Sequence, residues 1–155
     1  MINLFMDIEA SSLGAESFPV SIGVLDVKNE RNNYEAIIHP VDEWDDWSEH
    51  SESIHGLSFD VLMNEGIHVA HVCKELNCRF CYQTILFDSE FDLFWINRLF
   101  KAAKVKPDFL MSHIKTVVDS ERYDEFLYDL QETQVTHKPL EDARVLYQVS
   151  KQYIA

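Results

Sequence analysis

The chain has 155 residues, 46% of them hydrophobic, which is enough for one globular domain with a sizeable core, expected to span residues 1–155. No apolar run approaches the roughly 20 residues of a membrane span, and the N-terminal stretch, broken by Asp7 and Glu9 and lacking a basic leader, does not read as a signal peptide, so a cytoplasmic location is expected. The formal charge of −14, from 13 basic against 27 acidic residues, argues against a long duplex held in a basic groove, because such binding comes from lysine and arginine displacing counterions.

Residues 2–6 alternate around Leu4 and predict a strand ending at Asp7. Residues 18–27 predict a second strand, with Ile22, Val24 and Val20 toward one face. The turn signal Asn29-Glu30-Arg31-Asn32-Asn33 leads to a third strand over residues 34–39, stopped by Pro40. Short connections make these three an antiparallel meander. A loop with Trp44, Asp45, Asp46 and Trp47 follows, and Ser58 is placed to cap a short helix through Met63. A further helix is predicted over residues 68–76.

Residues 82–87 are almost wholly apolar, as suits a buried parallel strand. Residues 91–103 carry Phe91, Phe94, Trp95, Leu99 and Ala102 near helical spacing. A short strand over 108–112 and a helix over 120–130 come next. Residues 137–153 close the chain, with Pro139 suited to a first helical turn. Strands that lead and then alternate with helices predict an α/β fold with a mixed sheet.

The three cysteines, Cys73, Cys78 and Cys81, are odd in number and fit a reducing compartment. With His68 and His71 they place five zinc-capable residues within fourteen positions. The histidines, however, fall in a predicted helix, whereas zinc sites close with paired ligands on turns. Buried structural thiols are the favoured reading.

Three distant segments carry the chemistry. Asp7 and Glu9 are two apart on a strand, so their side chains leave one face, and such a pair can hold one hard divalent cation and bridge toward a second. Asp92 starts a helix after the buried strand, where an acid is also favoured by the helix dipole alone; Asp88 and Glu90 compete for either role. His137 and Asp142 straddle the helix start at Pro139. Phosphodiester hydrolysis needs a nucleophile near neutral pH and charge stabilisation at the attacking and leaving oxygens. Two metal ions roughly 4 Å apart supply both, and a histidine near its pKa can take the water proton.

Together these segments closely resemble the DEDDh class of 3′–5′ exonucleases, which includes polymerase proofreading domains and oligoribonuclease. The first motif reads Asp7-Ile8-Glu9-Ala10-Ser11-Ser12-Leu13, with serines where threonine and glycine are usual. The second reads Phe91-Asp92, but Phe87-Asp88 replaces the usual His-Asn, which leaves Asp88 without a role. The third runs from His137 to Asp142-Ala143, and Ile22-Gly23 and Ile54-His55-Gly56-Leu57 are similar to the connecting segments. The resemblance spans nearly the whole chain. It implies a ribonuclease H-like fold, a mixed sheet of an antiparallel three-strand meander plus parallel strands, flanked by helices. It also implies that Asp7, Glu9, Asp92 and Asp142 bind two divalent cations, Mg²⁺ or Mn²⁺, with His137 as general base. Ala10, Ser11, Ser12 and Leu13 would line the 3′-terminal nucleotide through backbone and apolar contacts, and His55 is a further substrate-binding candidate.

Arg98, Lys101, Lys104 and Lys106, with Lys115 beyond, are the one basic concentration. Arg98 and Lys101 share a helix face, which either holds phosphates upstream of the scissile bond or is simply solvated. Trp44, Trp47 and Phe18 either stack bases or pack on their own domain. The expected activity is metal-dependent 3′–5′ exonucleolytic release of nucleoside monophosphates from single-stranded RNA or DNA 3′ ends, with RNA or short oligonucleotides favoured by the acidic charge. The alternatives are a DNA exonuclease in proofreading or repair and a catalytically silent acidic interaction module; five filled catalytic positions speak against the second. No membrane partner is expected, and a homodimer or a protein partner is left open.

Overall fold

The computed structural model describes residues 1–155. In chain order it contains β1 (Leu4–Ala10), β2 (Pro19–Asp26), β3 (Tyr34–His39), α1 (Glu49–His55), α2 (Phe59–Glu65), β4 (Ile67–His68), α3 (Val69–Phe80), β5 (Thr84–Phe87), α4 (Glu90–Ala103), β6 (Leu110–His113), α5 (Tyr123–Glu132) and α6 (Pro139–Ser150). The strands form one six-stranded sheet in the order β4-β3-β2-β1-β5-β6. The β1–β2 and β2–β3 pairings are antiparallel, and β3–β4, β1–β5 and β5–β6 are parallel. This is the mixed sheet that the pattern predicts, flanked by helices on both faces.

Strand alternation divides β1 between two cores. Leu4, Met6, Ile8 and Ala10 pack into the larger one with residues of α3 and α4, while Phe5 joins a smaller one under α5 and α6. Asp7 and Glu9 follow Phe5 at period two, so they emerge on the α6 side. The strand was expected to end at Asp7. It runs on to Ala10 because Asp7 pairs with Gly23 and Glu9 with Ser21 before the register shifts at Glu9/Ala10. Both acids are therefore fixed by ladder hydrogen bonds of a central strand.

Helix α6 lies against β2 at Gly23. A Cβ there would meet the Leu140 nitrogen at 2.2 Å and the Pro139 carbonyl carbon at 2.5 Å. Only glycine permits this approach, and it seats the start of α6 over the strand next to Asp7. Pro139 occupies the first turn of α6, as its fixed φ favours.

The remaining differences from expectation have local causes. Helix α1 was not anticipated; Ser48 caps it by accepting from the Ser51 amide, and Gly56 ends it in the left-handed conformation (φ 75°). The two-residue β4 was also not anticipated. The helix expected over 68–76 continues to Phe80, with His68 as its cap. The strand expected from residue 82 begins at Thr84, because Tyr82 is exposed with φ 61°. A 3₁₀ turn, Ser120–Arg122, precedes α5. Ser58 caps α2 as expected.

The thiol reading holds for one cysteine of three. Cys73 is fully buried, with its thiol pushed up to about 12 by burial, whereas Cys78 and Cys81 are exposed. His68 and His71 are exposed as well, and the candidate metal-ligand groups of the molecule include none of these five residues. Trp44 stacks on Phe18 inside the core, ring centroids 5.2 Å apart at 10°. Trp47 packs edge-on against Phe59 and donates its indole N–H to Glu52. The loop tryptophans and Phe18 thus pack on their own domain. No helix is long and apolar enough to cross a membrane.

Candidate active site

Five carboxylates and a histidine converge where β1 and β5 end beneath α6. Asp7 and Glu9 come from β1, Asp88 from the β5–α4 junction, Asp92 from the first turn of α4, and Asp142 from the first turn of α6. Ligand atoms of Asp7, Asp88 and Asp92 lie within 4.8 Å of one another, and those of Glu9, His137 and Asp142 do the same. A cavity of about 190 Å³ is lined by Asp7, Glu9, Asp88, His137 and Asp142. All five residues expected from sequence are therefore brought together, and Asp88 joins them.

Asp92 is not the helix cap. Ser89 does that, its hydroxyl accepting from the Phe91 amide. Asp92 is only 1% exposed, and its Oδ2 has no hydrogen-bond partner; the buried Oδ2 of Asp7 has none either. Glu90 points elsewhere and is exposed, on the rim of an apolar hollow with Leu13 and Phe91.

The α6 side is held by Thr136. Its amide and its hydroxyl both donate to Asp142 Oδ1, at 2.8 and 3.0 Å, and the same hydroxyl accepts from the Lys138 amide. Between them His137 adopts a left-handed backbone (φ 58°), a conformation that costs a non-glycine residue roughly 1 kcal/mol. This places His137 Nδ1 3.8 Å from Glu9 Oε1, with the histidine side chain 40% exposed. Nothing in the sequence marks Thr136 except its place before Pro139 and an acid six residues on.

Crowding of like charge shapes the electrostatics. Burial, then repulsion from Asp92, Glu9, Asp88 and Asp142, holds the Asp7 carboxyl well above the usual range. Burial and Asp88 do the same to Asp92, against partial relief from the Ser89 and Ile8 backbones. Burial also raises Asp88, which its own backbone amide, then His113 and a hydrogen bond with Asp92 partly offset, and burial with Asp142 pushes Glu9 up to about 7. No lysine or arginine is paired with any of these acids. Orphaned buried oxygens, mutual repulsion and a donor set dominated by carboxylates fit hard divalent cations.

A second hollow of about 210 Å³ shares Glu9 and His137 with the first and is lined also by Ala10, Ser12, Leu13 and His55. His55 Nδ1 accepts from the Leu57 amide, its Nε2 is buried without a partner, and burial lowers its pKa. Ser11 is fully buried, and its hydroxyl donates to Asp46 while accepting from the Phe18 amide. Ser11 therefore shapes the loop and offers no side-chain contact. Asp46 also accepts from Ser12 at 2.6 Å; a partner 34 residues away leaves no trace in the local sequence.

Arg98 and Lys101 are not brought to the carboxylates. With Trp44 and Lys104 they line a separate cavity of about 360 Å³, and Arg98 lies 3.7 Å from Glu16.

No protein-family model and no curated protein matches the sequence. Solved structures match the fold. Escherichia coli exonuclease I in complex with a dT13 oligonucleotide has a TM-score of 0.74 at 15% identity, over 96% of this chain and 40% of that one. Exonuclease I in a structure concerned with processivity has a TM-score of 0.73 at 16% identity, over 97% and 40%. The zinc-bound E. coli exonuclease I–ssDNA complex gives 0.72 at 14% identity, over 97% and 39%. The chain thus spans about two fifths of the exonuclease I chains it matches, and what it shares with them at these identities is the fold: a ribonuclease H-like mixed sheet flanked by helices.

Proposed function

We propose that residues 1–155 form a single exonuclease domain of the DEDDh type, which hydrolyses single-stranded nucleic acid from the 3′ end and releases nucleoside monophosphates. The observation that carries this reading is the pair of adjoining ligand groups, Asp7/Asp88/Asp92 and Glu9/His137/Asp142, with buried unpartnered carboxylate oxygens on Asp7 and Asp92. Asp7, Glu9, Asp92 and Asp142 would hold two divalent cations, Mg²⁺ or Mn²⁺. When bound, these ions neutralise phosphate charge and make water a competent nucleophile near neutral pH.

The chain's own residues do the rest. His137, on an accessible loop beside Glu9, takes the proton of the water that attacks phosphorus. The P–O3′ bond breaks, leaving a 3′-hydroxyl on the shortened strand and a 5′-phosphate on the released nucleotide. Thr136 holds Asp142 and, through its turn, fixes where His137 sits. The hollow of Ala10, Ser12, Leu13 and His55 receives the terminal nucleoside next to that histidine. The acidic surface favours short oligonucleotides, RNA among them. DNA is the second reading, supported by the dT13 and ssDNA complexes of the structures that share this fold.

The test is digestion of 5′-labelled single-stranded RNA and DNA oligonucleotides with Mn²⁺, wild type beside Asp7→Ala and His137→Ala. A stepwise ladder from the 3′ end is expected, reduced by about 10²–10⁴-fold in His137→Ala and lost in Asp7→Ala; the faster substrate decides the sugar. Absence of cleavage of either nucleic acid, at several lengths and with both metals, sinks the nuclease reading and favours the silent binding module.

A further inference from the structure

We propose that Asp88 is a fifth carboxylate ligand, which makes the Asp7/Asp88/Asp92 side of the cleft a cation position filled without nucleic acid. This rests on the metal-dependent reading of the cleft. In the pattern that the sequence resembles, an asparagine stands at this place, so the carboxylate is a property of this chain.

Asp88 does not cap the helix that follows it. It sits between the last residue of β5 and the cap of α4, where an acid would ordinarily be explained as a helix cap. Ser89 fills that role, and the Asp88 side chain makes no hydrogen bond to any amide of the helix. Its carboxylate instead faces the same cavity as Asp7, Glu9 and Asp142. It offers an oxygen within 4.8 Å of ligand atoms on Asp7 and Asp92.

An acidic cluster alone proves little, because acids often gather without an ion. Asp92 is 1% exposed, lies in this group, and keeps one oxygen with no donor at all. A buried carboxylate left so, with a third acid brought beside it and no lysine or arginine paired with the group, must either take up a proton or share a cation with its neighbours. The neighbouring group differs in kind: it has two carboxylates and a histidine, and one of its oxygens, Asp142 Oδ1, is already occupied by Thr136. Three carboxylates, two of them with an unpartnered buried oxygen, should hold a hard divalent cation more tightly than that set.

Mn²⁺ binding to the whole chain without nucleic acid tests the proposal, followed by titration calorimetry and by loss of the free-ion electron paramagnetic resonance signal. Wild type should take up two ions. Asp88→Asn should lose the tighter of the two, or hold it at least about tenfold more weakly, and Asp142→Asn should lose the other. Circular dichroism of the metal-free variants checks that both remain folded, and Asp88→Ser provides a second variant with no amide to substitute for the acid. If wild type takes up one ion only, or if Asp88→Asn and Asp88→Ser match it in number and affinity, the proposal falls. Cleavage with unchanged Mn²⁺ binding in the Asp88 variants would overturn this assignment and leave the nuclease intact. Two ions bound with no cleavage would do the reverse.

Discussion

Asp92 carries a cost that the metal-free protein cannot avoid. It is removed from water with one oxygen unpartnered, and Asp88 and Glu9 press like charge against it. A folded-state pKa held above the unfolded value of about 3.9 makes a contribution that is fully present below that value. It is lost as pH rises through the folded pKa. Glu9, raised to about 7, extends the loss to neutrality. Asp92→Asn should therefore raise the melting temperature of the metal-free protein at pH 8, by about 2–4 °C for each kcal/mol relieved, with the gain fading toward pH 4. The same variant should lose most of the stabilisation that Mn²⁺ gives wild type through linkage. Melting curves with EDTA or Mn²⁺ across this range check both signs; a lower melting temperature for the EDTA-treated variant at pH 8 would mean that the protein itself satisfies the carboxylate. At this scale the sequence was legible where residue type and spacing suffice, as for Asp7 with Glu9. It was not legible at Asp88, Ser89 and Asp92, where any of the three is a sensible cap and only the hydrogen bond to Phe91 decides.

Among the elements, those with a buried face announced themselves. The meander and α4 were readable because their apolar residues recur at period two or near 3.6, and β5 because its run is continuous. Helix α1 has no buried residue, so it has no apolar stripe to read, and β4 exists only because α2 returns the chain to the edge of β3. The end of β1 is hidden for a different reason: two acids look like the end of a strand unless their pairing with Gly23 and Ser21 of β2 is known. Gly23 shows what such pairing does for the site. Its missing side chain lets the Pro139–Leu140 backbone rest on β2 opposite Asp7, and that contact sets the height of Asp142 and His137. Gly23→Ala should destabilise the fold by about 1–3 kcal/mol, the range for overpacking a tight contact. It should also blunt the Mn²⁺ response, because α6 must lift. Gly14→Ala is the control, since its Cβ would meet only Ser12 Oγ at 3.4 Å. Urea unfolding and Mn²⁺ melting shifts of the pair measure this; equal effects in the two variants would show that the α6 contact does not position the site.

For the molecule as a whole, the charge of −14 sets the terms on which a polyanion can bind. Composition states the sign of the field but not where its few cations lie, and the structure puts Arg98, Lys101 and Lys104 around one cavity away from the carboxylates. If those three meet phosphates, the counterions released are few. At about −0.7 per phosphate neutralised on a single strand, the slope of log K against log salt concentration should be no steeper than about −2. Anisotropy titration of a labelled single-stranded oligonucleotide onto His137→Ala with Mn²⁺ gives that slope. Removing Arg98 and Lys101 together should flatten it by about 1.4, and in otherwise wild-type protein should raise KM far more than it lowers kcat, because the contacts lie away from the reacting phosphate. Lengthening the oligonucleotide beyond the few nucleotides that reach this cavity should add little, since the chain carries 27 acids against 13 basic residues. A slope steeper than about −4, or affinity that climbs steadily with length, would require cations this chain does not present, and hence a second protein surface completing the strand path.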